Sequence, residues 1–306
     1  MSNQLLLIPY IQIHNANALS SPYTVGFPAM TAWLGAVHAL QRKLNEQGNR
    51  VSFEAVGVVS HYFDLQTYKG PGDFEYSIIG TANPVDKDGK RPSFIEEARC
   101  HLQVSLVIQC NHLDKTDELQ TIEDITRILN SQLKMAGGDI VCFGEPSFYR
   151  DFTLLKHRLM PGYALLERRD LMIEAMEQGQ DAIDALLDFL AIHHSCETID
   201  NNGETQINWR SNRKPTGRDG QRGWIVPIAT GFQGISDLGL AKNQRDDDTP
   251  HRFAEAVITL GEFKMAYRLQ RPDELLWHYH YEQEHNLYLC QQENLPTKDL
   301  LAIDVF

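Results

Sequence analysis

ARCHLQVSLVIQCNHLDKTDELQTIEDITRILNSQLKMAGGDIVCF, residues 98–143, is the stretch on which the fold turns. Ala98 to Cys110 alternates polar and apolar side chains, the period-two pattern of a strand with one wet face. From Glu118 to Met135, Leu119, Ile122, Ile125, Leu129 and Leu133 recur at helical spacing. Gly137-Gly138 interrupts that spacing, and Asp139 to Phe143 predicts a short strand. The same rhythm precedes it. Gln4 to Ile13 is an apolar strand, and HNANALSSPYTVGFP, residues 14–28, is a long polar loop. Pro28 then opens a helix carrying Met30, Trp33, Leu34, Val37, Leu40 and Leu44 and ending near Asn45 to Gly48, and Val51 to Tyr68 is β-rich. The sum is βαββαβ over roughly residues 4–145. That order predicts an α+β fold with a ferredoxin-like (RRM-like) core, an antiparallel four-stranded sheet with two helices on one face.

Residues 69–97 separate the two inner strands by far more than a tight turn requires. Within them, Phe74 to Ile79 reads as a strand and Asp88-Gly89 as a turn, so an inserted, protruding β-hairpin is expected, with Lys87, Lys90 and Arg91 at its tip. The chain therefore divides into a core at 1–145 with an insertion at 69–97, and an irregular C-terminal α/β elaboration at 146–306 packed on it. In that second half, a bend at Pro161-Gly162 leads into helical text, Asp181 to His193 is an amphipathic helix, and 197–223 is a polar, mobile loop. Trp224 to Ile228 reads as a strand, and Arg252 to Leu260 and Asp273 to Tyr281 as helices.

At 306 residues with 42% apolar and 23% charged side chains, the chain is of soluble globular type. No apolar run reaches the ~18 residues of a membrane span. Met1-Ser2-Asn3-Gln4 has no basic, apolar leader pattern, so the expected location is the cytoplasm. Cys100, Cys110, Cys142, Cys196 and Cys290 are widely spaced with no C-x-x-C pair, which suits reduced thiols packed in a core. A net charge of −13 excludes an all-over nucleic-acid binder but not a local one, and residues 210–222 concentrate Arg210, Arg213, Lys214, Arg218 and Arg222.

No catalytic constellation stands out. Gly137-Gly138-Asp139 invites a two-metal palm reading, but the first strand has no acid to complete it. His278, His280 and His285 with Glu282 and Glu284, read on a helix, spread around the surface, and no metal or other cofactor is expected. Asp246-Asp247-Asp248 reads as the cap of a helix near His251. The loop after the first strand is the richer feature. Asn15, Asn17, Ser20, Ser21 and Tyr23 supply amides, hydroxyls and one aromatic, the groups that hold single-stranded RNA, although a structural loop has the same composition. The inner strand VSLVIQC lacks the aromatic order of a common RRM, so the sheet is expected to serve mainly as scaffold.

From IHNANALSSPYTVGFPAMTAWLGAVHALQRKL onward the chain resembles the second-subunit family of the Csy complex, the RNA-guided surveillance complex of type I-F CRISPR systems. The likeness continues through NPVDKDGKRPSFIEEARCHLQVSL, MAGGDI, RLMPGYALLERRDLM, GWIVPIATGF, RDDDTPHRFAEAVITLGEF and DELLWHYH, and departs at 145–157, 195–215 and after Glu282. The resemblance implies a non-catalytic, RAMP-type protein whose 69–97 excursion is a thumb. Its implied partners are the large first subunit, with which it holds the 5′ handle of the CRISPR RNA, and the repeating backbone subunit, with target DNA nearby and no membrane. Asn15, Asn17 and Ser20 would then meet the handle, Arg245 and Arg252 its phosphates, and Lys87, Lys90 and Arg91 the backbone-subunit junction, with Arg218 and Arg222 as further RNA contacts. Two other readings remain open: an endoribonuclease of the same fold, metal-dependent or metal-independent, acting on repeat RNA with His14 or His38 as base, and an adaptor that touches protein alone.

Overall fold

In a computed structural model the described residues are 4–80, 85, 87–91, 97–111, 116–201, 204–216, 223–242, 244, 246 and 248–293. The first half runs β1 (Gln4–Asn17), β2 (Leu19–Ser21), β3 (Thr24–Val25), α1 (Met30–Glu46), β4 (Ser52–Leu65), β5 (Thr67–Tyr68), β6 (Ser77–Ile78), β7 (Arg99–Asn111), α2 (Glu118–Ser131), β8 (Lys134–Met135) and β9 (Gly138–Cys142). The second half runs β10 (Ser147–Tyr149), α3 (Phe152–Arg158), β11 (Tyr163–Glu167), α4 (Arg169–Glu177), α5 (Ala182–Leu190), β12 (His193–Asn201), β13 (Glu204–Asn212), β14 (Trp224–Gly234), β15 (Ala254–Met265), β16 (Trp277–Glu282) and β17 (Leu287–Gln292).

Three long strands and the short β9 stand in the order β4-β7-β1-β9, each antiparallel to its neighbour. Alternate apolar residues of β7 (Leu102, Val104, Leu106) and of β1 on either side of its register shift (Leu6 and Ile8; Ile11 and Ile13) face the helices. They meet Met30, Trp33, Leu34, Val37, Leu40 and Leu44 of α1 and Ile125, Ile128 and Leu129 of α2 in one core. This helical face follows the 3.6-residue period along α1. Its end is set by Gly48, whose φ of 88° is costly for a side-chain-bearing residue.

The sheet does not stop at β4. The order continues β4-β16-β17-β14-β15-β11, and β11 pairs with β4 again through Tyr163↔Ser60 and Ala164↔Val59, so six strands close into a ring. Trp277 of β16 is fully buried and donates its indole N–H to the Leu165 carbonyl of β11 at 3.0 Å, joining two strands that pair one after the other with the edge of β4 that β7 leaves free. Strands of the second half thus share one sheet with the first, and β10 pairs with β1. The half expected to be irregular is built mostly of regular elements.

Several expectations are corrected. Residues 252–260 and 273–281 are not helices: β15 occupies Ala254–Met265, and Pro272–Glu274 is a single 3-10 turn before β16. Val257, Ile258 and Thr259 are β-branched and pair in the ladder with β14, and Gly261 to Met265 after them pair with both β14 and β11 or with β11 alone, which outweighs the helix-compatible spacing. The polar stretch predicted as a mobile loop contains the hairpin β12–β13. The Asp246 carboxylate caps no helix; it accepts from Asp248 N–H and the Thr249 hydroxyl within a loop, and Asp247 lies outside the described residues. The loop after strand one is shorter than expected, because β1 runs on to Asn17 and β2–β3 forms a small hairpin. Cys100, Cys110 and Cys290 are buried, with the Cys100 and Cys290 thiols pushed up to about 12 by burial, but Cys142 and Cys196 are exposed.

One half-buried histidine makes stability depend on pH. His61 Nδ1 lies 2.6 Å from the Pro161 carbonyl and so carries the ring proton, leaving Nε2 to accept from the Ser105 hydroxyl at 2.7 Å. Ser105 in turn accepts the Tyr10 N–H at 3.0 Å. Burial lowers the His61 pKa from its ordinary 6.5, against the Pro161 contact that raises it. Below that value the unfolded chain binds a proton that the folded chain resists, so stability falls as the solution is acidified. Glu167, pushed by burial up to about 7 against the Arg169 guanidinium, contributes the opposite slope between its ordinary 4.5 and 7. The His61 contribution is therefore the difference between wild type and His61→Phe: thermal melts from pH 7.5 to 5.5 are expected to show a steeper acid-side loss in wild type, and parallel profiles would remove the claim.

Candidate nucleic-acid interface

The sheet face opposite α1 and α2 is divided. At one end Leu5, Leu7, Ala55, Val59 and Val107 are covered by Leu155 and Leu159 of the α3 region and by Ala266, Leu269 and Leu275. Beyond His61 the face opens, and its side chains become polar. Two rows cross it. In the first, Cys142, Gln12, Gln103 and Tyr62 lie side by side on β9, β1, β7 and β4. In the second, Asp139 pairs with His14, and His101 pairs with Asp64. His14 and His101 have ring centroids 4.6 Å apart, tilted by 57°.

A bulge builds the second row. The β1–β7 register breaks between Ile13 and Ala16, and Asn15 takes φ 56°. Bulges re-aim side chains, and positive φ in a non-glycine residue is a strain kept by its surroundings. Asn15 N–H donates to His101 Nδ1 at 3.3 Å, the Asn15 side-chain oxygen accepts from Gln66 at 2.8 Å, and Gln66 also lies 3.1 Å from His101 Nε2. The Arg99 guanidinium donates to the Asn15 carbonyl at 3.3 Å and pairs with Glu97 at 2.5 Å. On the far side Gly138 allows β9 to come close, since a Cβ there would sit 2.6 Å from the His14 carbonyl oxygen and 2.8 Å from Ala16 N. Gln12 contacts the His14 ring at 3.3 Å and accepts from Cys142 at 3.2 Å.

The predicted loop residues divide. Asn15 belongs to the row just described. The Asn17 carboxamide is folded onto the Leu19 backbone, with both its ends 3.1 Å from partners. With Ser20, Pro28, Gly35, Ala36, Lys134 and Gly137 it lines a groove of about 450 Å3 beside α1. Ser21 is corrected: it turns inward, buried, and its hydroxyl is engaged by Thr24 Oγ1 at 2.7 Å and Tyr23 N–H at 3.1 Å, because the hairpin needs those bonds. Tyr23 sits at the hairpin tip, 82% exposed.

Arg252 is held elsewhere. Its guanidinium donates to the Asn286 side chain, and it stands two residues before Ala254, which pairs with Gly234 at that end of the β14–β15 ladder. Phe27, which follows the β2–β3 hairpin, packs at the other end against Phe263, nine residues past Ala254, roughly 30 Å along a strand. The structure therefore separates Arg252 from Asn15 and Asn17. Arg245, Arg218 and Arg222 lie outside the described residues. Of the basic run, Arg210 pairs with Glu197, Arg213 donates to the Ile225 carbonyl, and Lys214 pairs with Asp188 while lying 4.2 Å from the Phe189 ring centre. Arg210 and Lys214 are thus neutralised locally, and Arg213 is bonded to the main chain.

The hairpin β5–β6 rises directly beyond Gln66, turning at 70–73, and carries exposed Tyr68, Phe74 and Tyr76 with Lys69 5.4 Å from the Tyr76 ring centre. Lys87, Lys90 and Arg91 are exposed around a turn at Gly89. The predicted strand from Phe74 is reduced to Ser77–Ile78. His278 and His280 lie on β16 rather than a helix, and among the described residues no three His, Cys, Asp or Glu side chains are placed to hold a metal ion. Among them, too, no helix is long and apolar enough to cross a membrane. His38 packs edge-on to Tyr279 at 6.5 Å, away from His14.

Gln12, Tyr62, Gln66, His101 and Gln103 were not singled out by the sequence reading. The signal was present in part: Arg99, His101, Gln103 and Ser105 alternate along the quoted strand, and they mark its wet face.

The model of the family described as CRISPR-associated protein (Cas_Csy2) matches residues 6–290. CRISPR-associated protein Csy2 of Pseudomonas aeruginosa (strain UCBPP-PA14) is 33% identical over 316 aligned positions, covering 93% of this chain and 94% of that protein.

Proposed function

The chain belongs to the CRISPR-associated Csy2 family, and on that premise we propose that it is a non-catalytic, RNA-holding subunit of a type I-F surveillance complex. In this reading β1, β4, β7 and β9 with α1 and α2 are a ferredoxin-like core, and the open end of its sheet, with Asn15 and the groove at Asn17 and Ser20, meets the 5′ handle of the CRISPR RNA. The large first subunit completes the grip. Lys87, Lys90 and Arg91 on the 69–97 thumb face the repeating backbone subunit, with target DNA passing nearby. The observation that carries the proposal is the bulged, polar, half-exposed sheet end in a chain of net charge −13, a local site on an otherwise repelling exterior. Co-expression with the large subunit and a repeat-spacer transcript, followed by size exclusion and RNA sequencing, is the test. A heterodimer carrying RNA with an intact 5′ handle is expected; a chain that elutes alone and free of RNA would refute the reading.

A second reading is favoured by one contact. Two imidazoles 4.6 Å apart supply a base for a 2′-hydroxyl and an acid for the leaving 5′-oxygen, the requirements of metal-independent RNA cleavage. Incubating the purified chain with repeat RNA in chelator separates the two. Cleavage that is lost in His14→Ala would establish the nuclease, and intact RNA is the result expected for the holding subunit.

A further inference from the structure

We propose that the open end of the sheet is a seat for one unstacked nucleobase, laid over the Tyr62 and His101–His14 rings and bonded at its edge by the Gln103 carboxamide. This rests on the RNA-holding reading and specifies what that site takes.

Gln103 is the centre of the first row, between Gln12 and Tyr62. It is half-buried, yet its carboxamide makes no hydrogen bond to any described residue, whereas Gln12 and Gln66 are both engaged. A carboxamide has a donor and an acceptor side by side, and a nucleobase edge is a natural partner for such a pair. Aromatic surface lies on both sides of it. Tyr62, 56% exposed, is its direct neighbour on β4, and His101 is two residues along β7, leaning on His14. Neighbouring strands are ~4.8 Å apart and residues on one face of a strand ~7 Å apart, so the two rows span about the dimensions of a base.

Electrostatics argue for a base rather than a phosphate. Asp139 and Asp64 stand at the two ends of the imidazole row; Lys134 is paired with Asp139 at 2.8 Å, and the Arg99 guanidinium is paired with Glu97. A phosphate placed centrally would face the Asp64 carboxylate, while the cations bonded to this row, Lys134 and Arg99, are each already paired with a carboxylate. A neutral, flat ring that stacks and bonds through its edge meets no such penalty. The platform is also rigid: the Asn15 bulge, its bonds to Gln66 and His101, and the close approach of Gly138 hold the imidazole row in place.

The test is a scan of abasic substitutions across the handle in the assembled complex, with wild type, Tyr62→Ala, Gln103→Ala and Tyr62→Phe. In wild type one position is expected to lose roughly 5- to 100-fold in affinity when its base is removed. At that position alone, base removal should become silent in Tyr62→Ala, weaken in Gln103→Ala, and persist in Tyr62→Phe, which keeps the ring. If abasic penalties are the same in all four proteins while RNA is still bound, the base seat is wrong and the RNA-holding reading stands. If no variant or wild type retains RNA, both fail. Tyr62 is exposed, so its replacement leaves the fold intact, which circular dichroism of each variant checks.

Discussion

Gly138→Ala is expected to lower stability by about 2–3 kcal/mol and to strip the complex of handle RNA. The added methyl would sit 2.6 Å from the His14 carbonyl oxygen, 2.7 Å from Ile13 Cγ2 and 2.8 Å from Ala16 N. Two of those three atoms are main chain, so no side-chain rotation relieves the clash, and the upper part of the usual overpacking range applies. What gives way is the contact of β9 with the β1 bulge. Asn15 then has no reason to keep φ 56°, and the bonds that orient His101 and Gln66 go with it. Thermal melting and RNA content after size exclusion measure both effects. Gly35→Ala in α1 is the stability control, because a Cβ there meets nothing within 4 Å and the helix gains the ~1 kcal/mol that separates alanine from glycine. Equal melting temperatures for wild type and Gly138→Ala would show that the bulge is not held by β9.

Trp277→Ala is the second large effect, ~3–5 kcal/mol by the usual cost of deleting a buried indole. Trp277 has no exposed surface, packs in the core that contains α1, and donates to the Leu165 carbonyl of β11. Its loss opens a cavity and leaves a buried carbonyl without its donor. The ring of six strands is closed through only two residue pairs between β11 and β4, so there is little else nearby to hold the closure. Trp277→Phe should recover most of the packing and none of the hydrogen bond, giving a midpoint in urea between the other two. A Trp277→Ala chain with an unchanged urea midpoint would mean that the closure is carried elsewhere.

The strand at 98–110 and the helices after it were legible because each has one clean period and buries one face. The bounds of β7 and α2 fall within a few residues of those read from periodicity, except that the helix yields to β8 at Lys134. β15 and β16 were not legible. Their β-branched and aromatic residues are spaced in a way a helix also tolerates, and what decides between the two is strand pairing: for β15 the ladders to β11 and β14 earlier in the chain, for β16 the hairpin with β17. The site was half legible for a related reason. Asn15 could be seen as a polar group beside a strand, but its partners Gln66 and His101 are 51 and 86 residues distant and come together only through the β1–β7–β4 register. Ser21 was misread because its hairpin is two residue pairs long and has no turn signature strong enough to show that the hydroxyl is needed internally. The expectation that the sheet is mainly scaffold followed from the apolar end of β7, VSLVIQC, whereas the polar end is where the face opens.

The most direct test of the central claim is ultraviolet crosslinking of RNA within the assembled complex, with the crosslinked peptides of this chain identified by mass spectrometry. The predicted result is handle nucleotides attached to peptides from β1, β4 and β7, with Tyr62 and His101 among the modified residues. Crosslinks confined to α1, to the β14–β15 end that holds Arg252, or to other subunits alone would contradict the placement of RNA on this face.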